Sequence, residues 1–296
     1  MSDNPYEALS GEGDARWAFG TGFTDPLAGV DTGVPDGVDG SDLATYCLML
    51  GDDALIMSHR LQQWCTRAPE LEEEVALANI ALDLLGQARL LLARAGQSDG
   101  SGRDEDSLAF LRDAPEFRNV RLAEEANGDF ARSMARLLVF AVWRLALLDR
   151  LAGSRDPVLS AVAAKGVKEV TYHRDYAAGW VVRLGDGTPY SRERMREGLE
   201  AVWPLVTELF TPHEVELRLA AAGVAVDPSE LRAEFDAVLD QVLGAAGLAR
   251  PRAVPGLGGR AGGGNARGRH GEHTAELDDV LAEMQTVPRA LPGATW

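Results

Sequence analysis

The sequence predicts an all-α protein: a four-helix bundle with additional helices C-terminal to it. Three observations carry that prediction. Aromatic residues make up only 6% of the chain, while Ala, Leu and Val supply most of its 46% hydrophobic content. That balance suits helices packed on helices better than stacked sheets. Long stretches with apolar residues at helical spacing follow one another, each opened by a capping residue or a proline. Convincing strands are missing, because the one β-branched run, Val224-Ala225-Val226, is too short.

The elements follow in order. Residues 1–40 hold eight glycines, eight acidic residues and a single basic one, Arg16. Such a segment buries too little surface to offset its ordering entropy, so an arm is expected. Its Trp17, Phe19 and Phe23 call for a docking place, on its own domain or on a partner. The helical domain is expected over 41–296. Ser41 is the expected N-cap of a first helix reaching about Cys65, with Leu43, Tyr46, Cys47, Leu50 and Ala54 on one face. Pro69 is expected to open the second helix, whose first turn carries Glu70, Glu72, Glu73 and Glu74 at the positive end of its dipole, and Gly96 to end it. A third helix is expected over 119–152, and a fourth from Asp156-Pro157 to Leu184. Shorter helices should start at Ser191, at Thr211-Pro212-His213-Glu214 and at Asp227-Pro228-Ser229-Glu230, and a last one should run over about 272–287. Four helices of about 25–30 residues are what a bundle of this type needs.

Composition excludes several functions. A formal net charge of -17 disfavours nucleic acid and anionic membranes as partners. Cys47 and Cys65 are too few for a disulfide framework or a four-cysteine zinc site. The start, MSDNPYEALSGEGD, lacks basic and apolar leader regions, and even VALANIALDLLGQARLLLA is interrupted by polar residues. The expected compartment is the cytoplasm. Residues 255–271 stand apart, with eight glycines and with Arg260, Arg267 and Arg269. They are read either as a solvated linker or as a contact with an acidic partner or a phosphate, because glycines let backbone N–H groups approach anions.

Chemistry in a long-helix bundle resides between the helices. The carboxylate di-iron pattern takes a Glu from each of two helices and a Glu-x-x-His pair from each of the other two. The residues three before the five histidines are Ile56, Val170, Phe210, Arg267 and His270, and none is acidic. What remains has the look of a site stripped of ligands: Asp53 on the first helix, Asn79, Asp83 and Gln87 on the second, and Glu169 and His173 on the fourth. The amides are poor iron ligands. The second-helix stripe is read as a solvent edge or as a buried hydrogen-bond network, and Glu169 with His173 as an interhelix pair or as ligands. A self-sufficient di-iron oxygenase using Asp53, Glu73, Asp83, Glu169 and His173 is the alternative reading. His270 and His273 lack further zinc ligands nearby. No nucleophile elbow and no dinucleotide fingerprint is present.

Residues 51–92, GDDALIMSHRLQQWCTRAPELEEEVALANIALDLLGQARLLL, resemble the first two helices of the PaaC-type subunits of phenylacetyl-CoA 1,2-epoxidases. KEVTYHRDYAAGWVVRLGDGT (168–188), HTAELDDVLAEMQ (273–285) and the closing LPGATW extend the resemblance over about 40–296. It implies a ferritin-like fold and a non-catalytic, structural subunit of a multicomponent monooxygenase of aerobic phenylacetate degradation. It also implies no cofactor in this chain. The di-iron centre is expected in a related catalytic partner, which inserts oxygen into the aromatic ring, and electrons in a separate flavin and iron–sulfur reductase. Arg260, Arg267, Arg269 and His273 are the residues expected to meet the partner or the phosphates of CoA. The chain departs from the family pattern at His273-Thr274-Ala275-Glu276, where a second histidine is expected.

Overall fold

The computed structural model describes residues 27, 29–251 and 267–291, and among these it contains helices and no strand. Two helical hairpins form its centre. The first joins α1 (Gly40–Gln62) to α2 (Leu71–Ser98), and the second joins α5 (Phe130–Leu151) to α6 (Pro157–Gly185). Helix α2 runs beside α6, and bonds from Glu73 to Trp180, from Asp83 to His173 and from Gln87 to Glu169 show the two to be antiparallel. This is the ferritin-like bundle.

Between the hairpins lie α3 (Glu105–Phe110) and α4 (Arg121–Glu124), and after them α7 (Pro189–Val202), α8 (Glu214–Ala221), α9 (Arg232–Ala245) and α10 (Ala275–Ala290). Helices α4, α8 and α10 pack on α1, and α7 and α9 on α5. For that reason α1 and α5 are buried almost all round, from Leu43 to Leu61 and from Ala131 to Leu151, while α2 and α6 keep an outer face. Helix α2 is long and apolar enough to cross a membrane by length and composition. Its inner face is packed in the bundle and carries the polar side chains of Glu73, Asp83 and Gln87 toward α6.

Helix starts follow capping chemistry, with shifts from the sequence expectation. Asp39, not Ser41, caps α1, accepting from the N–H groups of Ser41 and Asp42. Helix α2 begins at Leu71 rather than at Pro69 and passes through Gly96. There, a Cβ would stand 1.8 Å from the Arg103 carbonyl oxygen, so the glycine serves a chain crossing and not a helix end. The continuous helix expected over 119–152 is broken: α4 ends at Glu124, and Asp129 caps a new start by accepting from Arg132 N–H at 2.9 Å. Asp156 caps α6 as expected, accepting from Leu159 N–H at 2.8 Å. Thr188 opens α7 in place of Ser191. His213, in place of Thr211, opens α8 in a capping box with Glu216.

Of the segment before residue 41, Trp17, Phe19 and Phe23 lie outside the described residues. Residues 29–39 rest on the helical domain, where Arg94 donates to the carbonyl oxygens of Thr32 and Gly33. The centre of the Gly/Arg-rich loop, with Arg260, also lies outside the described residues.

Candidate functional site: the polar centre of the bundle

The four long helices each contribute polar groups to the interior. Helix α1 supplies Asp53, α2 supplies Asp83 and Gln87, α5 supplies Arg144, and α6 supplies Glu169 and His173. Spacings of four along α2 and α6 put each helix's pair on one face.

An arginine occupies the middle. Arg144 is 0% exposed and donates from Nε to Gln87 Oε1 at 3.0 Å. Gln87 passes the bond on, from Nε2 to Glu169 Oε2 at 2.9 Å, and Lys165 closes the row with an ion pair to Glu169 at 2.7 Å. Burial pulls the Arg144 guanidinium down to about 10, and the Asp53 carboxylate works against that pull. It therefore stays charged at neutral pH. A fixed cation and an ammonium thus sit among the groups that would have to ligate iron. Repulsion from both opposes a dication in the same space.

The other acidic residues have been taken elsewhere. Asp53 is 0% exposed and accepts from Val120 N–H and from Arg269, both at 2.8 Å. Burial raises its carboxyl above the usual range, and the Arg269 and Arg144 guanidiniums offset this only in part. With every partner a donor, it is the ionised form that satisfies the site. Glu73 accepts from Trp180 Nε1 at 2.8 Å and from the Tyr176 hydroxyl, whose acidity is suppressed first by burial and then by this carboxylate. Asp83 meets His173 Nε2 at 3.0 Å near the surface of the α2/α6 seam. Asn79 is exposed on the outer face of α2. The stripe expected as one unit is therefore both things weighed for it: an edge at Asn79 and an interhelix network at Asp83 and Gln87. The five ligands of the alternative reading do not converge, and among the described residues no group of three or more His, Cys, Asp or Glu is placed to hold a metal. A surface groove of about 460 Å³ lies far from this centre, between the end of α5 and the turn before residue 228.

Two of the four residues expected to face a partner or a phosphate turn inward instead. Arg269 is 5% exposed and spends its guanidinium on Asp53, the Met49 carbonyl and the Arg118 carbonyl. The chain can enter there because Gly268 has no side chain; a Cβ would stand 1.9 Å from the Asn119 carbonyl oxygen. His273 is held between the Glu124 carboxylate at Nδ1 and the Phe117 carbonyl at Nε2, both at 3.0 Å. Arg267 is half-buried, and its backbone N–H donates to Glu272.

Comparison with known proteins gives this arrangement a context. The family described as phenylacetic acid catabolic protein matches residues 35–296. One of the lettered subunits of the 1,2-phenylacetyl-CoA epoxidase of Escherichia coli (strain K12) is 44% identical over 256 residues, covering 86% of this chain and 100% of that one. The chain belongs to the phenylacetic acid catabolic protein family.

In this family member, the residue that decides the chemistry of the centre is one that motif reasoning passed over. Arg144 and Arg136 stand eight apart in the otherwise apolar run of α5, and such interruptions are the signal that would have found them. Arg136 is likewise buried and, among the described residues, bonds to the Glu125 carbonyl and to Asn127 Oδ1; burial lowers it to about 9.

His273 yields a pH prediction. Both ring nitrogens face acceptors, so the imidazolium is the form that satisfies them. Burial opposes its charge, but Glu124 and the Phe117 carbonyl outweigh burial and raise its pKa. A raised histidine contributes stability that is fully present below its unfolded value, about 6.5, and is lost as pH rises through the folded value. Urea titrations of wild type and His273→Gln should therefore differ by about 1–3 kcal/mol at about pH 5.5 and by less at about pH 9. An equal gap at both would mean that the neutral ring serves as well.

Proposed function

We propose that this chain is the non-catalytic, structural subunit of a phenylacetyl-CoA epoxidase, acting in the cytoplasm in aerobic phenylacetate breakdown. In this reading, a related ferritin-like partner holds the di-iron centre, and a flavin and iron–sulfur reductase supplies electrons. The observation that carries it is the Arg144–Gln87–Glu169–Lys165 row. In a di-iron bundle, carboxylates and imidazoles face a dication across this space. Here a guanidinium supplies the positive charge from the protein itself, and an amide, Gln87, links it to the Glu169 carboxylate. The donor set does not fit iron, so no step of oxygen chemistry is assigned to this chain. The Escherichia coli relative is by name one subunit of several, which supports membership in an assembly.

What the chain can contribute is rigidity. A di-iron site requires its ligand helices to be held within about 0.5 Å, and a second, metal-free bundle packed alongside can supply that. The test is iron content. The chain expressed alone, loaded anaerobically with ferrous iron and desalted, should retain far less than one iron per chain. A content near the about two irons of a di-iron bundle would overturn the reading. It should also co-purify with a helical chain carrying two Glu-x-x-His motifs.

A further inference from the structure

We propose that the outer face of the α2/α6 pair is the docking surface for a different, metal-bearing helical subunit; this rests on the functional reading above. Four of the ten large hydrophobic side chains exposed among the described residues gather on this face: Leu71, Val75 and Leu82 on α2, and Tyr172 on α6. Leu71 is 71% exposed, and Val75, Leu82 and Tyr172 are each half exposed or more. Positions 71, 75, 78 and 82 follow the spacing of four, three and four that makes one stripe along a helix, with Ala78 filling the gap.

A second observation is independent of the apolar stripe. Gly86 on α2 and Gly179 on α6 sit inside helices, where each costs about 1 kcal/mol relative to alanine. Among the described residues, nothing requires them. A Cβ at Gly179 would meet no atom within 4 Å, and one at Gly86 only the Lys165 ammonium at 4.0 Å. Small residues on an outer helix face let another backbone come close. Lys168, exposed on the same face of α6, has no carboxylate partner among the described residues and fits an acidic group on the incoming chain.

The size of the face matches a protein partner. Helices of 28 and 29 residues are each about 42 Å long, and two of them side by side present a strip of about 800 Å². That is about one side of a standard interface. Charge argues against a second copy, because each chain carries -17. The occupant with the right chemistry is a helix pair of another chain, apolar along its seam and acidic opposite Lys168.

The test is co-expression with the subunit of the same pathway that carries two Glu-x-x-His motifs. Leu82→Glu and Gly179→Leu should each weaken the complex by about 30-fold or more. Leu217→Glu, a change at a comparably exposed leucine on α8, should leave it intact. Gly179→Leu should not lower the Tm of the isolated chain, which separates lost docking from lost folding. If Leu82→Glu and Gly179→Leu bind as wild type does, the face is wrong and the subunit reading survives. If the wild type itself fails to bind, both fall. Light scattering that finds the wild type dimeric and Leu82→Glu monomeric would assign the face to a second copy and overturn the proposal. So would hydrogen exchange that shows residues 71–86 protected in the isolated chain and deprotected when residues 1–26 are deleted.

Discussion

Arg269→Ala is expected to lower the unfolding free energy by about 3–5 kcal/mol, the cost of breaking a buried ion pair from one side. Arg269 joins three separate stretches of chain through Asp53 and Met49 of α1 and the Arg118 carbonyl. Removing it leaves Asp53, at 0% exposure, with one backbone N–H and the more distant Arg144 charge. The Met49 and Arg118 carbonyl oxygens each lose a donor as well. Urea denaturation of the isolated chain measures the effect, and Arg267→Ala, on a half-buried side chain, is the control expected to cost little. A loss under about 1 kcal/mol for Arg269→Ala would mean that water or Arg144 replaces the guanidinium. The same pair of variants separates the two roles weighed for these arginines. A residue that meets a partner or a phosphate changes assembly, while one that holds α1 to the returning chain changes the monomer first.

That outcome bears on what the sequence disclosed. Helix α6 was legible at its start, because Asp156-Pro157 carries its own capping chemistry and needs no tertiary help. Chain crossings were not. Gly96 reads as a stop, yet it lies within α2 because Arg103 passes over it, and no local pattern records that approach. The break before α5 was hidden for a related reason. Residues 119–129 are polar enough to look like a helix surface, but their bonds run to distant elements, Val120 to Asp53 and Asn127 to Arg60. At the centre, the missing Glu-x-x-His pairs were visible by inspection of five histidines. What replaces them was not, because an arginine interrupting the apolar run of α5 marks a buried charge without naming its partners, Gln87 and Leu50, which lie on two other helices. The inward turn of Arg269 and His273 escaped for the same cause: a basic residue in a glycine-rich loop reads as solvated until the buried carboxylates facing it, Asp53 and Glu124, are located.

Arg94→Met should also cost about 3–5 kcal/mol, and its effect should be local in a way that exchange can detect. Arg94 and Asp156 form an ion pair in which both side chains are 0% exposed, the most enclosed of the chain's described pairs. Arg94 reaches in two directions: to Asp156 at the start of α6, and to the carbonyl oxygens of Thr32 and Gly33 in the segment before α1. Asp156 also has two duties, because its other oxygen caps α6 through Leu159 N–H at 2.8 Å. Substitutions can divide them. Asp156→Asn keeps a capping oxygen and removes the charge, leaving the guanidinium buried and unpaired, whereas Asp156→Ala adds the loss of the cap, about 1 kcal/mol more. The double variant Arg94→Met with Asp156→Ser restores a cap and removes both charges, so it should recover part of the loss, since a matched apolar replacement of a buried pair is often neutral. In hydrogen exchange, Arg94→Met should release residues 29–39 while the start of α6 stays protected, and Asp156→Ala should loosen the start of α6 as well. If residues 29–39 remain protected in Arg94→Met, then Leu27, Val30 and Val38, which pack against the core, hold that segment without help from the arginine.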